Sequence, residues 1–382
     1  MKPGLYVHVP FCSKICPYCD FSVLTGNESW RRRYVERLLT EIELWSEESR
    51  ERFGPFDTVY FGGGTPSLLT PEQLGAILEK IRGELGIAGD ARLFLEANPE
   101  DVTAETLAAW RGLGFATLSL GVQSFDAEAL AFLGRRHSPE QAKRSVHLAR
   151  EAGFETVSVD LIYGLPGRSA SDWRRELETA VSLAPDHLSC YQLTIHQGTP
   201  FGFRLERGQF AELPEDAQAE RFLTTHRLLA DHGYEGYEVS NFARAPEHRS
   251  RHNAKYWDHT PYLGLGPSAH SYEGRRRWWN ERKIKPWMAA LEQGRRPVEE
   301  GEELSEGDLA FERLMLALRT KDGLDLAQYQ RRYGVDLLAA RGEAVGRLVG
   351  DGLIEVGGGR LWPTLDGLAV ADYLARELGA AP

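Results

Sequence analysis

Short apolar segments alternate with longer amphipathic segments over the first half of the chain. The apolar segments are bounded by Gly, Pro or Asp, and several of the longer ones begin with the Thr, Ser or Asp of a helix start. Because each pair of parallel strands needs a crossover helix, six such units in about 190 residues predict an α/β fold with a partial (β/α)6 barrel. The predicted strands are Leu5–Val9, Thr58–Phe61, Leu93–Ala97, Thr117–Val122, Thr156–Ile162 and His187–Leu193, and the predicted helices are Trp30–Ser46, Pro71–Leu85, Thr103–Leu113, Pro139–Ala152 and Ser171–Leu183.

The regular alternation ends after Thr194. A helix is predicted at 214–232, then an irregular stretch through Ser271, and a polar connection at 297–305 that predicts a domain boundary. Three helices, a hairpin around Gly357-Gly358-Gly359 and a last helix then indicate a small winged-helix-like α+β domain. The chain is thereby divided into a β/α core at 1–200, a segment that completes the barrel at 201–300, and a C-terminal domain at 301–382.

Three of the four cysteines, Cys12, Cys16 and Cys19, fall within eight positions. Thiolates at this C-x3-C-x2-C spacing converge on one metal or cluster more readily than they pair with each other. Three thiolates on a four-iron cluster leave the fourth iron open, which is a reactive arrangement. A zinc site with His8 as the fourth ligand is the alternative, and Cys190 is expected to be a small buried apolar residue.

Polar groups follow five consecutive predicted strands. Because the chemistry of such barrels collects at the carboxyl ends of the strands, these groups are expected to share one site. The three-glycine run also fits a tight loop that binds nothing. The groups are the cysteine loop, Gly62-Gly63-Gly64-Thr65-Pro66, Glu96-Ala97-Asn98-Pro99, Gln123-Ser124-Phe125, and Asp160 with Tyr163-Gly164-Leu165-Pro166.

The charge is unevenly distributed along the chain. The net charge of −11 argues against nucleic acid as a general partner, and residues 301–382 carry nine Lys and Arg against fourteen Asp and Glu. Residues 244–296 reverse this balance with twelve Lys and Arg against five Asp and Glu, and contain Trp257, Trp278, Trp279 and Trp287. This basic window suits a flat anionic ligand, or else is a solvated face with some core aromatics. Without an apolar run of about 18 residues or a secretory leader pattern, the expected location is the cytoplasm.

The segment YVHVPFCSKICPYCDF at 6–21 resembles the cluster motif of radical S-adenosylmethionine (SAM) proteins, in their coproporphyrinogen-oxidase-like branch. The resemblance covers nearly the whole chain, because later motifs agree in order and spacing. These are FGGGTPS at 61–67, EANPED at 96–101, GVQSF at 121–125, GRRH at 134–137 and VDLIYGLPG at 159–167.

The resemblance implies a radical SAM partial barrel in which Cys12, Cys16 and Cys19 hold a [4Fe-4S] cluster whose open iron is chelated by SAM. It implies roles for Glu96 toward the SAM amino group, Arg135 toward its carboxylate and Asp160 toward the ribose. Tyr6 and Thr65 also fit purely structural roles, in the core and in a turn. The full set of implied SAM contacts is Tyr6, Tyr18, Gly63, Gly64, Thr65, Glu96, Gln123, Arg135 and Asp160.

Two functions within this branch compete. The oxygen-independent coproporphyrinogen III dehydrogenases carry a fourth cysteine where this chain has Phe21, and a longer segment before the cluster motif, where this chain has eleven residues before Cys12. Both differences favour the heme chaperones of the branch, which bind heme and SAM and deliver heme to acceptor proteins, respiratory ones among them. The resemblance leaves open whether SAM is cleaved, and whether the chain contacts a membrane peripherally or forms a homodimer.

The stretch His252-Asn253-Ala254-Lys255-Tyr256-Trp257 matches the HNxxYW motif of those chaperones and lies in the basic window. It implies His252 as a ligand of the heme iron, with Tyr256 and Trp257 against the macrocycle and Arg275, Arg276 and Arg277 near the propionates. The alternatives are a His252 that does not bind heme, or ligation by His248, His259 or His270.

Overall fold

The computed structural model describes residues 2–379, which contain one 12-stranded sheet and one three-stranded sheet. The large sheet has the order β12-β11-β10-β9-β1-β2-β3-β4-β5-β6-β8-β7. Its strands are β1 Gly4–Val9, β2 Phe56–Gly63, β3 Ile87–Ala97, β4 Phe115–Gln123, β5 Thr156–Tyr163, β6 His187–Gln192, β7 Glu235–Gly236, β8 Asn241–Ala243, β9 Tyr262–Leu265, β10 His270–Glu273, β11 Arg276–Asn280 and β12 Val298–Glu303.

Helices cover the outside of this sheet and connect its strands. Four of the crossover helices begin with a capping box, at Thr70, Thr103, Ser138 and Ser169, which explains why their starts were readable in the sequence. The helices before the last domain are α1 Glu28–Leu44, α2 Ser46–Arg52, α3 Pro71–Glu84, α4 Ala104–Gly112, α5 Ala127–Phe132, α6 Pro139–Glu151, α7 Ala170–Ser182, α8 Pro200–Glu206, α9 Glu215–Asp231, α10 Arg251–Trp257 and α11 Ile284–Glu292.

The six predicted strands β1 to β6 pair in parallel and in sequence order. Apolar side chains on one face of each strand pack against the helices, as Val59 and Phe61 do in β2, while Tyr60 lies on the other face toward the barrel interior. The α/β prediction of a radical SAM-type partial (β/α)6 barrel is therefore confirmed. The ends of the predicted strands and helices lie within two residues of those expected, except that β3 begins six residues before the predicted Leu93.

The prediction of an irregular stretch through Ser271 is wrong. Strand β9 pairs in parallel with β1, and β10, β11 and β12 extend that edge of the sheet as antiparallel strands. At the other edge, β8 and β7 add to β6. These strands are short and rich in Arg, Trp and Glu, so they lack the apolar alternation by which strands are recognised in a sequence.

The C-terminal unit has its own core, which includes Leu314, Leu348, Leu361 and Leu374. Its small sheet has the order β13-β15-β14, and its hairpin turns at the predicted glycine run. This confirms the winged-helix-like α+β prediction, except that the last helix is interrupted at Val370. The elements are α12 Glu306–Ala317, β13 Leu324–Asp325, α13 Leu326–Tyr333, α14 Leu337–Gly350, β14 Ile354–Gly357, β15 Arg360–Pro363, α15 Leu365–Ala369 and α16 Ala371–Gly379.

Within residues 2–379, none of the helices combines the length and the apolar character that crossing a membrane requires.

Candidate functional site

The three clustered cysteines lie on the loop between β1 and α1 and line one cavity of about 380 Å³ at the carboxyl ends of the strands. The Thr65 hydroxyl donates to Cys12 Sγ at 3.7 Å, and Arg135 Nη1 donates to Cys16 Sγ at 3.6 Å. Burial raises the pKa of Cys12 to about 11, so that its thiol holds a proton that a metal ion would displace. Three free thiols with hydrogen-bond donors aimed at two of them are a suitable donor set for an iron–sulfur cluster.

The same cavity collects the polar groups that follow the strands. Tyr6 is the one predicted SAM contact outside its lining, and it lies in the adjoining cleft described below. The residues that line it as predicted are Tyr18, Gly63, Gly64, Thr65, Glu96, Gln123, Arg135 and Asp160.

Two partly buried carboxyls set the electrostatics of this cavity. Glu96 accepts hydrogen bonds from the Tyr60 hydroxyl at 2.7 Å and from the Gly63 N–H at 3.2 Å, and Asp160 accepts from the Ser119 hydroxyl at 3.1 Å. Burial raises the pKa of Glu96 to about 7 and that of Asp160 to about 6, and the negative charge of Asp160 raises the pKa of Glu96 further. A ligand that brings N–H or O–H donors would stabilise both carboxylates.

The glycine run has a structural cause in the packing of the cysteine loop. Gly63 has φ +110°, and a Cβ there would lie 2.6 Å from the His8 ring. A Cβ at Gly64 would lie 2.6 Å from the Phe11 carbonyl oxygen. The tight-loop explanation therefore accounts for both glycines without a ligand, although both line the cavity.

Arg135 is fixed by a contact that the sequence did not predict. Its Nη2 donates to the Gly121 carbonyl at 2.7 Å and to the Asn98 side chain, and Asn98 in turn donates to the Thr65 hydroxyl at 3.2 Å. Asn98 stood in the quoted EANPED motif, which was the available clue. This chain of contacts joins the ends of β2, β3 and β4 to the cysteine loop.

His8, the fourth ligand of the zinc alternative, is already engaged. The Tyr6 hydroxyl donates to its Nδ1 at 3.2 Å, and its Nε2 donates to the Ser22 carbonyl at 3.1 Å. Burial lowers the pKa of His8 to about 4, so the ring is neutral. His8 therefore orients β1 and the cysteine loop, and neither nitrogen is available to a metal in this structure.

A second cleft of about 750 Å³ adjoins the cysteine cavity. The two share the residues Asp20, Phe21, Gly63 and Glu96. The Phe21 side chain is 64% exposed and is therefore not packed into the core. It lines both the cysteine cavity and the cleft. Half of the remaining lining consists of aromatic rings, namely Tyr6, His8, Tyr256, Tyr262, His270 and Trp279. The other half is polar, namely Ser22, Ser268, Asn280, Arg282, Glu299 and Glu300.

The HNxxYW segment forms α10, which closes the barrel from its amino-terminal end. His252 is 1% exposed, its Nδ1 hydrogen-bonds with the Thr58 hydroxyl at 2.9 Å, and its Nε2 with the Tyr256 hydroxyl at 2.8 Å. Its ring stacks on Tyr60 with centroids 5.0 Å apart. The structure therefore does not present His252 to a ligand, and binding of heme iron there would require breaking a buried hydrogen bond.

The three consecutive arginines of the basic window are paired with carboxylates in the fold. Arg277 pairs with Glu302 at 2.7 Å and Glu312 at 3.0 Å, Arg276 lies 3.6 Å from Glu48, and Arg275 lies 3.9 Å from Glu303. Trp278 and Trp287 are core residues, and Trp257 lines a separate cavity beside the C-terminal unit. The structure therefore does not bring Arg275, Arg276 and Arg277 together with His252, and only Trp279 of these tryptophans faces the cleft.

Comparisons with known proteins agree with this architecture. The radical SAM superfamily model matches residues 6–180, and the HemN C-terminal domain model matches residues 304–370. The heme chaperone HemW of Mycobacterium tuberculosis is 38% identical over 98% of this chain and 94% of its own length. The chain belongs to the HemW family of radical SAM proteins.

Other members of this family extend the similarity. The HemW of Escherichia coli K12 is 39% identical over 70% of this chain and 69% of its own length. A mouse mitochondrial protein, radical S-adenosyl methionine domain-containing protein 1, is 34% identical over 99% of this chain and 87% of its own length. Membership of the radical SAM superfamily implies a [4Fe-4S] cluster and SAM.

The fold is shared with a solved enzyme structure. Coproporphyrinogen III oxidase (HemN) from Escherichia coli superposes with a TM-score of 0.84 over 99% of this chain and 90% of that chain, at 24% identity. At 24% identity, this likeness establishes the fold of the HemW-family chain. The chemistry of the chain is inferred from its site residues.

Proposed function

We propose that this protein is a heme chaperone that binds a [4Fe-4S] cluster, SAM and heme, and delivers the heme to acceptor proteins, respiratory ones among them. The observation that carries the proposal is the large cleft with aromatic residues in its wall that adjoins the cysteine cavity. Phe21 and Gly63 line both spaces. A macrocycle with propionates needs a wide space that offers flat rings to pack against and polar groups for the propionates, and this cleft has both. The printed names of the HemW relatives agree with this cargo.

In this proposal Cys12, Cys16 and Cys19 hold the cluster, which supplies an iron that the amino and carboxylate groups of SAM can chelate. Glu96 accepts hydrogen bonds from the SAM amino group, and Arg135 contributes positive charge beside Cys16. The other residues proposed to contact SAM are Tyr6, Tyr18, Gly63, Gly64, Thr65, Gln123 and Asp160. Support comes from the cavity that eight of the nine SAM residues line with the three thiols.

Phe21 bears on the dehydrogenase alternative. It occupies the position of the fourth cysteine of those enzymes, is exposed, and separates the cysteine cavity from the cleft. The proposed role of Phe21 is to shield a bound cluster from the cargo. We therefore favour binding and delivery of heme over oxidation of porphyrinogen propionates.

The heme proposal is tested by anaerobic titration of the cluster-reconstituted full chain with hemin, followed by absorbance. We expect saturable binding of one heme per chain, weakened about tenfold by Trp279→Ala because an aromatic contact is lost. The matched control is Trp362→Ala, which removes a partly exposed indole from the small C-terminal sheet. Absence of saturable binding in the parent protein would overturn the proposal.

Affinity for SAM is expected to decrease as the pH falls below about 7. The protonated Glu96 carboxyl is a poorer acceptor for the SAM amino group, and its pKa in the free protein is raised to about 7 by burial. Above pH 7 the Glu96 carboxylate is already formed, so its ionisation does not change the affinity for SAM. Below pH 7 the affinity for SAM is expected to fall by up to about tenfold for each pH unit. The measurement is the dissociation constant of SAM between pH 6 and 8.5 by calorimetry.

The control for this pH dependence is Glu96→Gln, because the SAM amino group titrates on its own. The variant retains that intrinsic titration and lacks the carboxyl of residue 96. The expected result is a shallower slope in the variant than in the parent protein. Identical slopes in the two proteins would assign the pH dependence to SAM alone.

A further inference from the structure

We propose that His270, on β10, supplies an axial ligand to the heme iron in the aromatic cleft, an inference that rests on the proposed heme-binding function. The proposal depends on three observations: the free ring of His270, its place on the cleft wall, and the engagement of the other histidines.

His270 differs from every other histidine in its hydrogen bonding. Among residues 2–379, ten of the eleven histidines have a hydrogen-bond or ion-pair partner at a ring nitrogen, and His270 has none. Because a metal ligand needs only one free ring nitrogen, position also decides: the histidines that line the cleft are His8 and His270, and both nitrogens of His8 are hydrogen-bonded. The engaged histidines are His8, His137, His147, His187, His196, His226, His232, His248, His252 and His259.

The position of His270 suits a ligand to a flat cargo. It is exposed at the start of β10 and is the cross-strand partner of Trp279, with ring centroids 5.6 Å apart and planes inclined at 31°. Both rings line the cleft that reaches Phe21 and Gly63 at the cysteine cavity. Partial burial and the nearby Arg277 guanidinium lower the pKa of His270, which keeps the imidazole neutral and able to bind iron.

Charged groups on the same cleft would orient the propionates. Arg282 lines the cleft, and Glu299 and Glu300 line it on the β12 side. Within the described part of the chain the Arg282 guanidinium makes no ion pair, whereas the three arginines of the earlier prediction are all paired. The propionates are therefore expected at the Arg282 guanidinium. The nearest acidic neighbour is Glu299, whose carboxylate accepts the Arg282 backbone N–H at 3.3 Å.

Two histidines compete with His270 for this role. His196 lines the cysteine cavity but lies 3.5 Å from the Asp20 carboxylate. His252 is buried with both nitrogens engaged. His252 would have to break a hydrogen bond before it binds iron. His196 keeps Nδ1 free, but it lines the cysteine cavity and not the cleft.

The test compares the ferric heme spectra and heme dissociation constants of His270→Ala, His196→Ala, His252→Gln and the parent protein. His147→Ala on the outer helix α6 is the surface control. In His270→Ala we expect loss of the histidine-ligated absorbance and electron paramagnetic resonance features, an affinity lower by about tenfold or more, and recovery of the spectrum on addition of imidazole. The other variants should retain the parent spectrum.

Failure of this inference is distinguishable from failure of the proposed function. If the parent protein binds heme through histidine and His270→Ala keeps the same spectrum and affinity, the assignment of His270 is overturned while heme binding stands. If the ligated spectrum disappears in His196→Ala or His252→Gln and persists in His270→Ala, the ligand is that residue instead. No binding by the parent protein overturns both.

Discussion

Replacing Cys16 by alanine is expected to abolish assembly of the iron–sulfur cluster. Cys16 lies between Cys12 and Cys19 on the loop after β1, and a cluster with only two remaining thiolates is held too weakly to persist. Cys16 also receives the hydrogen bond from Arg135 that connects the loop to Asn98 and Gly121. After anaerobic reconstitution, the parent protein should contain about four iron and four sulfide per chain and the variant close to none.

Cys190→Ala is the matched control for this experiment. Cys190 is free and buried in β6, and its loss should leave the iron and sulfide content unchanged. Because Cys16 lies on a partly exposed loop, its variant should unfold at nearly the parent temperature when both proteins are compared without the cluster. Full iron and sulfide in Cys16→Ala would show that the proposed ligand set is wrong.

The core of the fold was predictable because its information is local. Strands such as β2 are short apolar runs, and the crossover helices carry a capping residue and an amphipathic face. The cysteine loop was predictable for the same reason, since spacing within eight residues determines which thiols can share a cluster. Parallel pairing then brings the ends of successive strands to one edge, so the polar groups at 96 and 160 converge with the cysteines.

The heme prediction was less secure because it depended on contacts distant in sequence. The window 244–296 looked strongly basic, but Glu48 and Glu302, which neutralise Arg276 and Arg277, lie outside it. The orientation of α10, with His252 turned into the barrel toward Thr58, is likewise fixed by a strand almost 200 residues earlier. A motif gives the residue types, whereas burial decides which of them a ligand can reach.

Replacing Glu41 by alanine is expected to lower the free energy of unfolding by about 3 kcal/mol or more. Glu41 is fully buried in α1 and accepts hydrogen bonds from the Gly266 N–H at 2.8 Å, Asn280 Nδ2 at 2.6 Å and Trp287 Nε1 at 3.1 Å. Its removal would leave the Gly266 and Trp287 N–H groups without an acceptor, and Asn280 Nδ2 with only the Gly266 carbonyl at 2.9 Å. Each buried donor left unpaired carries a desolvation cost of about 1–3 kcal/mol. The sequence pattern did not reveal the role of this carboxyl, because its three partners lie 225, 239 and 246 residues away along the chain.

Loss of the Glu41 carboxyl should also disturb the cleft wall. Gly266 precedes β10, Asn280 ends β11 and Trp287 lies in α11, and His270 and Trp279 on β10 and β11 line the cleft. Denaturant unfolding measures the loss of stability, and limited proteolysis should show earlier cleavage within residues 266–296. Glu43→Ala is the control on the same helix, because Glu43 is exposed and its 3.3 Å ion pair with Lys80 contributes about 1 kcal/mol at most. If Glu41→Ala is as stable as Glu43→Ala, α1 does not anchor this wall of the cleft. The expected result is a loss of stability together with weaker heme binding, which would show that the cleft depends on this buried carboxyl.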